Sequence, residues 1–292
     1  MQLLILFESC TGNTEFGVEV IRRALEKDGH RCEVRRFRDA DPAALEGFDL
    51  YCFATPIQSF APLGSVYRFI KGMPKLQGRP AFIFTTGAGW PGVAHRMMAS
   101  ALHRKGMAVI GAHMLPCPDS WPIGRRIDRF LYDHVRFPRR RSIEKARAFA
   151  LEMVNKAYRH REGIKVRRAP RILWPTPTLP LGFFAVRGML SRGLGKRTVD
   201  ERSCTRCGAC VEACPVGAVS LGADGSLPAF SNSCIGCWAC FNNCPERAII
   251  STACRPEHYY RGIADRDRLL EGRTLAFRSL RLPGRWRAGG TA

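Results

Sequence analysis

Thirteen cysteines occur in this chain of 292 residues, and eight of them fall into two copies of one pattern. Cys204, Cys207, Cys210 and Cys214 are spaced C-x2-C-x2-C-x3-C with Pro215 following; Cys234, Cys237, Cys240 and Cys244 repeat the spacing thirty residues later, with Pro245 following. Soft thiolates in sets of four suit an iron–sulfur cluster or zinc. Zinc knuckles come as paired C-x2-C, so three evenly spaced cysteines with a fourth after a longer step fit zinc poorly. Thiols at i, i+3 and i+6 can wrap one cubane, and the fourth then points towards a neighbouring one. No disulfide framework is expected. Residues 1–7 are a short apolar run without a basic start, unlike a secretory leader, and thiolates at ligand spacing belong in a reducing compartment. The expectation is a cytoplasmic protein, or one on the cytoplasmic face of a membrane.

The doubled motif closely resembles that of the bacterial two-cluster ferredoxins. The resemblance implies two 4Fe-4S clusters with crossed ligation. Cys204, Cys207, Cys210 and Cys244 would hold one, and Cys234, Cys237, Cys240 and Cys214 the other. With thiolate at every ligand position, such clusters relay electrons and bind no substrate.

A second constellation lies near the start of the chain. Ser9, Cys10, Thr11, Gly12, Asn13 and Thr14 follow the apolar run 3–7 and open a helical pattern. Hydroxyls at Ser9, Thr11 and Thr14, with a glycine that lets backbone approach closely, can cradle a phosphate at a helix N-terminus. The plainer use of such residues is a Ser/Thr helix cap. Two further loops follow strand-like runs: Thr55, Pro56, Ile57, Gln58, Ser59 and Phe60, then Thr86, Gly87, Ala88, Gly89 and Trp90. The three loops resemble those of flavodoxins, whose phosphate loop reads T/S-x-T-G-N-T after the first strand. That resemblance implies FMN as a cofactor, with the two later loops flanking its isoalloxazine ring. Phe60 or Trp90 would stack on the ring, or else pack on the core. Neither later loop carries an acidic residue. The seven histidines show no metal spacing, and no nucleophile–base motif gives a catalytic residue. Cys10, Cys32, Cys52, Cys117 and Cys254 are isolated and read as small hydrophobes.

The elements that must position these loops follow an α/β rhythm. Apolar strand-like runs occur at 3–7, 32–37, 48–54, 81–86 and 108–114, with helical patterns to residue 27 and at 64–71, 92–105 and 143–161. The fold class expected is α/β, a flavodoxin-like doubly wound five-stranded parallel sheet, followed by a small α+β two-cluster ferredoxin domain. The domains read as 1–165 with a basic insertion at 117–141, a Pro-rich linker at 166–198, the cysteine module at 199–253, and a basic tail at 254–292. Residues 172–186 carry no charge but hold Trp174, Phe183, Phe184 and three prolines. The run is too short to cross a bilayer and too proline-rich for a regular helix.

Charge is unevenly distributed. The formal net charge is +21, and residues 121–200 alone hold 20 Lys/Arg against 6 Asp/Glu. Residues 201–250 hold 3 against 4. The basic stretches therefore lie outside the cofactor modules. No base-reading module accompanies them, so nucleic acid is not expected. A redox protein partner, acidic or membrane-associated, is. The chain reads as an electron-transfer flavoprotein passing electrons between FMN, two 4Fe-4S clusters and that partner, a carrier rather than a dedicated oxidoreductase. The alternatives are a flavoenzyme reducing a small acceptor such as a quinone, and a peripheral electron-input subunit of a membrane-associated complex.

Overall fold

Five consecutive apolar residues from Leu3 are too few for a buried helix but suit a strand covered on both faces. They form β1 (Gln2–Phe7). The computed structural model describes residues 1–120, 122, 138–164, 166, 197–222, 225–251, 254, 259–260, 262–263 and 266–271. After β1 come α1 (Asn13–Lys27), β2 (Arg31–Arg36), β3 (Leu50–Gln58), β4 (Ala61–Pro62), α2 (Gly64–Gly72), β5 (Pro80–Gly87), α3 (Ala94–Arg104), β6 (Ala108–Pro116) and α4 (Arg140–Arg161). The long strands pair in parallel in the order β2-β1-β3-β5-β6. That is the doubly wound five-stranded sheet expected, with β1 and β3 flanking the point where the winding reverses.

Side chains alternate across the strands, and each set has its own core. Leu3, Ile5 and Phe7 pack with α1 and α4, while Leu4 and Leu6 pack with α2 and α3. The approach of α1 is close. A Cβ added at Gly17 would stand 2.6 Å from the Phe84 ring, so only glycine lets this helix seat on β5. On the outer face of α1, Glu19 pairs with Arg22 at 2.8 Å and Arg22 with Glu26 at 2.6 Å.

Strand β3 runs past the expected end at residue 54 to Gln58 and turns back antiparallel into β4. The apolar pattern stops at Ala54, but Pro56 still stands in register with Thr86 of β5. Residues 55–60 are thus a strand end and hairpin tip rather than a plain loop.

The cysteine module is built from β7 (Arg197–Val199), α5 (Ala209–Glu212), β8 (Val219–Ser220), β9 (Ala229–Phe230), α6 (Ala239–Asn242) and β10 (Ile249–Ser251). β7 pairs with β10 and β8 with β9, all antiparallel. A short helix, α7 (Arg266–Glu271), follows, and its Leu270 is buried in the core beneath α1 and α4. Part of the segment read as a tail thus returns to the first domain. Most of the basic insertion, nearly all of the 166–198 linker with its uncharged run, and most of the remaining tail lie outside the described residues. No described helix is long and apolar enough to cross a membrane.

Candidate functional site

The first strand delivers the 9–14 loop to the carboxyl edge of the sheet at the switch point, where doubly wound folds bind ligands. Gly12 takes a left-handed conformation (φ 84°) at the head of α1, and no side chain caps that helix. Its first-turn N–H groups therefore keep their need for an acceptor. The space where a Cβ of Gly12 would stand is open. Ser9 Oγ accepts from Gly12 N at 3.1 Å and shapes the turn. Just before it, Glu8 is buried with only 1% exposure, but Arg38 pairs with it at 2.7 Å and Arg36 at 3.7 Å. The one buried carboxylate beside the loop among the described residues is thus paired and would repel an anion little. An uncapped helix end with a glycine turn fits a phosphate.

This loop borders a cavity of about 460 Å³, within the size range of cofactor sites. Every residue of the expected 9–14 set except Gly12 lines it, as do Pro56, Ile57, Gln58, Ser59 and Phe60, and Thr86, Gly87, Ala88, Gly89 and Trp90. Thr55 is buried elsewhere: its Oγ1 accepts from Leu63 N at 3.3 Å and donates to the Pro56 carbonyl at 3.1 Å. Thr14 is also engaged, its hydroxyl 2.8 Å from that of Thr86. Asn13 donates to the Pro118 carbonyl at 2.9 Å and accepts from the Tyr260 hydroxyl at 2.6 Å. Of the phosphate-loop hydroxyls, Thr11 is the one that lines the cavity without a structural bond to another described residue.

At the mouth, Phe60 and Trp90 are 40% and 51% exposed, their ring centroids 5.8 Å apart and tilted by 56°. Ser59 and Phe60 both have positive φ, 47° and 67°. Such strain in non-glycine residues persists only where the surroundings enforce it. Here Val93 N donates to the Phe60 carbonyl at 2.8 Å, and a Cβ at Gly92 would stand 2.5 Å from Phe60.

Sequence reasoning missed the remaining wall. Leu63, Pro118, Asp119 and Ser120 line the cavity, as do Gly236 and Cys237 of the cysteine module. Pro118, Asp119 and Ser120 follow the last strand of the sheet, a position that topology could have flagged. Asp119 brings a carboxylate to a lining whose two flanking loops have none. The two modules, separate in the sequence reading, meet here through polar bonds. Gln58 donates to the Ile235 carbonyl at 3.0 Å, Asn242 to the Ser120 carbonyl at 2.8 Å, and Arg38 to the Glu212 carbonyl at 2.7 Å. Cys10, read as an isolated small hydrophobe, hydrogen-bonds Cys237. That bond raises the pKa of Cys10 well above the usual thiol range and lowers that of Cys237.

The two cysteine repeats are local copies of each other. Positive φ occurs at Arg206 and Gly208 in the first, at Gly236 and Trp238 in the second, and at Gly217 and Arg247 after the fourth cysteines. Left-handed residues between cysteines aim successive N–H groups into one concavity. Ala218 N donates to Cys214 Sγ at 3.1 Å, and Ala248 N to Cys244 Sγ at 3.3 Å, the same bond in each copy. Cys204, Cys207, Cys210 and Cys244 line one cleft, bringing together the crossed set that the resemblance implied. Cys234, Cys237 and Cys240 lie close enough for their charges to interact. Among the described residues no three His, Cys, Asp or Glu side chains converge on a position for a single ion.

Residues 203–249 match the family described as a 4Fe-4S dicluster domain. Nothing among the curated proteins matches the chain significantly. Among solved structures, an archaeal flavodoxin is 15% identical, covering 54% of this chain and 99% of its own, with a TM-score of 0.38. Flavodoxin 2 from Bacillus cereus is 17% identical over 53% of this chain and 99% of its own, at 0.41. Rubredoxin oxygen:oxidoreductase from Desulfovibrio gigas is 14% identical over 55% of this chain and 36% of its own, also at 0.41. The strand order, rather than these likenesses, defines the fold. The chain joins a doubly wound α/β domain with the flavodoxin-like strand order to a region, residues 203–249, that matches the 4Fe-4S dicluster family.

Proposed function

We propose that the protein is an electron-transfer iron–sulfur flavoprotein, with FMN in the switch-point cavity and two 4Fe-4S clusters in the cysteine module. The reading rests on one observation: Gly236 and Cys237 line the same cavity as the phosphate loop. A cluster held by Cys214, Cys234, Cys237 and Cys240 would therefore adjoin the flavin. The cluster held by Cys204, Cys207, Cys210 and Cys244 would lie beyond it, where Cys207 is exposed and a redox partner protein can dock. The flavin supplies exchange of two electrons on one side and single electrons on the other. The chain's own part is placement. The head of α1 and Thr11 hold the phosphate, Gln58 and Cys10 tie the cavity wall to the second cysteine repeat, and Phe60 and Trp90 border the ring.

Anaerobic purification with flavin, iron and acid-labile sulfide quantification tests both cofactor assignments together. About eight irons and one flavin per chain are expected. Co-purifying zinc, or four or fewer irons after full reconstitution, would defeat the cluster assignment, and absence of flavin would defeat the other. A second reading draws on the exposure of Phe60 and Trp90 at the cavity mouth: a small acceptor such as a quinone could reach the flavin between them. Steady turnover with soluble acceptors but not with redox proteins would favour that reading.

A further inference from the structure

Arg197 is the one described cation bonded to a cysteine ligand position. It lies on β7, the strand leading into the first cysteine repeat, yet its Nη1 donates to Cys234 Sγ of the second repeat at 3.1 Å. Its guanidinium carbon stands 4.6 Å from the ring centroid of Trp238, itself buried in a left-handed conformation between Cys237 and Cys240. Its remaining donors, Nε and Nη2, are hidden from solvent and have no hydrogen-bond partner among the described residues. Buried donors left unmade are costly, more so when charged, so two on one side chain call for an acceptor. A cubane bound by Cys214, Cys234, Cys237 and Cys240 offers sulfur acceptors beside Cys234. Among the described residues the other cysteine set has no such cation. Arg206, the arginine within the first repeat, is exposed and pairs with Glu201 at 3.5 Å, and β9, leading into the second repeat, holds only Ala229 and Phe230.

We propose that Arg197 sets the order of the two clusters, making the one next to the flavin the easier to reduce. The inference rests on the cluster reading above. Adding one electron to a cubane adds one negative charge, and a partly buried guanidinium favours that reduced form. Hydrogen bonds to cluster sulfurs act in the same direction. One electron leaving the outer cluster would oxidise it by one and reduce the inner cluster by one, and Arg197 biases this exchange inward. Arg197 is thus a positioning and tuning residue, acting through the cluster rather than on substrate.

The test is an EPR-monitored redox titration of the anaerobic holoprotein, wild type against Arg197→Gln. Two cluster potentials are expected in the wild type. In the variant the higher one should fall, shifting the equilibrium between the clusters at least tenfold, which is 59 mV for one electron. The lower one should move less. Iron is counted in the same samples. If the wild type lacks about eight irons, the cluster reading fails. If the variant keeps its iron with both potentials unchanged, or if both move equally, the role of Arg197 fails instead. Should Arg197→Gln not assemble, Arg197→Lys keeps the charge and loses most of the donor fork. It should give a smaller fall of the same couple, and an unchanged couple there also overturns the proposal.

Discussion

Asn243 donates from Nδ2 to the carbonyl of Cys10 at 2.9 Å, joining the end of the second cysteine repeat to the phosphate loop. The same Nδ2 also bonds the Ala239 carbonyl at 2.7 Å, so one side chain caps the turn carrying the cysteines and holds the loop at the head of α1. Any displacement of the second cysteine turn is therefore felt by the loop at the head of α1. The polar bonds between modules add to direct packing, since Ile235 and Ala239 are buried in the core that α2 and α3 form with the sheet.

The crossed ligation proposed above would make the two fourth cysteines differ from the rest in a measurable way. Cys244 lines the cleft of Cys204, Cys207 and Cys210. Cys244→Ala should therefore damage the cluster of the first three-cysteine run, and Cys214→Ala the cluster of the second. EPR of each reduced variant, compared with Cys204→Ala and Cys234→Ala, reads the pairing directly. A match of Cys244→Ala with Cys234→Ala would show uncrossed ligation.

Thr11 and Thr14 should separate binding from stability. Thr11→Leu changes a cavity-lining side chain, and it should lower bound flavin at least tenfold with little loss of thermal stability. Thr14 is 1% exposed and bonded to Thr86, so Thr14→Leu should also destabilise the fold, by about 1–3 kcal/mol. Flavin release and denaturant midpoints on the same preparations check both. Full flavin occupancy in Thr11→Leu would place the phosphate elsewhere.

Acid sensitivity should have a component at His95. Burial, helped by the neighbouring His113, lowers its pKa to about 4, and its Nε2 lies 2.8 Å from Thr85 Oγ1. The unfolded chain takes up this proton near the ordinary value of about 6.5 while the folded protein does not. The stabilisation is complete above that value and declines as pH falls towards 4, by a total on the order of 3 kcal/mol. Denaturation from pH 7.5 to 5 should show wild type losing more stability than His95→Gln. Parallel curves would assign the acid sensitivity to other groups.

Arg139, Arg140 and Arg141 lie at the start of α4 in the basic middle of the chain, with Arg140 paired to Glu144 at 2.8 Å. A basic surface speeds encounter with an acidic partner over a range of about 8 Å at physiological salt. Association with the redox partner should weaken between low and moderate salt, and less steeply after changing all three to Gln. An unchanged salt slope would leave these residues a role in solubility alone.

Much of the first domain was legible because its signals are local. Leu3 to Phe7 and Ala81 to Phe84 are apolar runs that need no context, and each long strand lies within a few residues of its expected place. The cysteine spacing likewise encodes its own geometry. The extension of β3 was hidden because Pro56 and Gln58 carry no strand pattern; pairing with β5 and β4 alone defines it. Gly236, Arg197 and the place of Cys237 in the cavity wall escaped for a different reason. Their roles come from contacts between segments distant in sequence, such as Arg197 with Cys234, and no period in either segment records such a meeting.

The bond from Tyr260 to Asn13 spans nearly the whole chain, and the last wall of the cavity comes from residues 236 and 237. Domains form as units while the chain is made, the N-terminal one first. The sheet can thus close early, while the cavity at its switch point stays one wall short until residues 236 and 237 have emerged and packed against it.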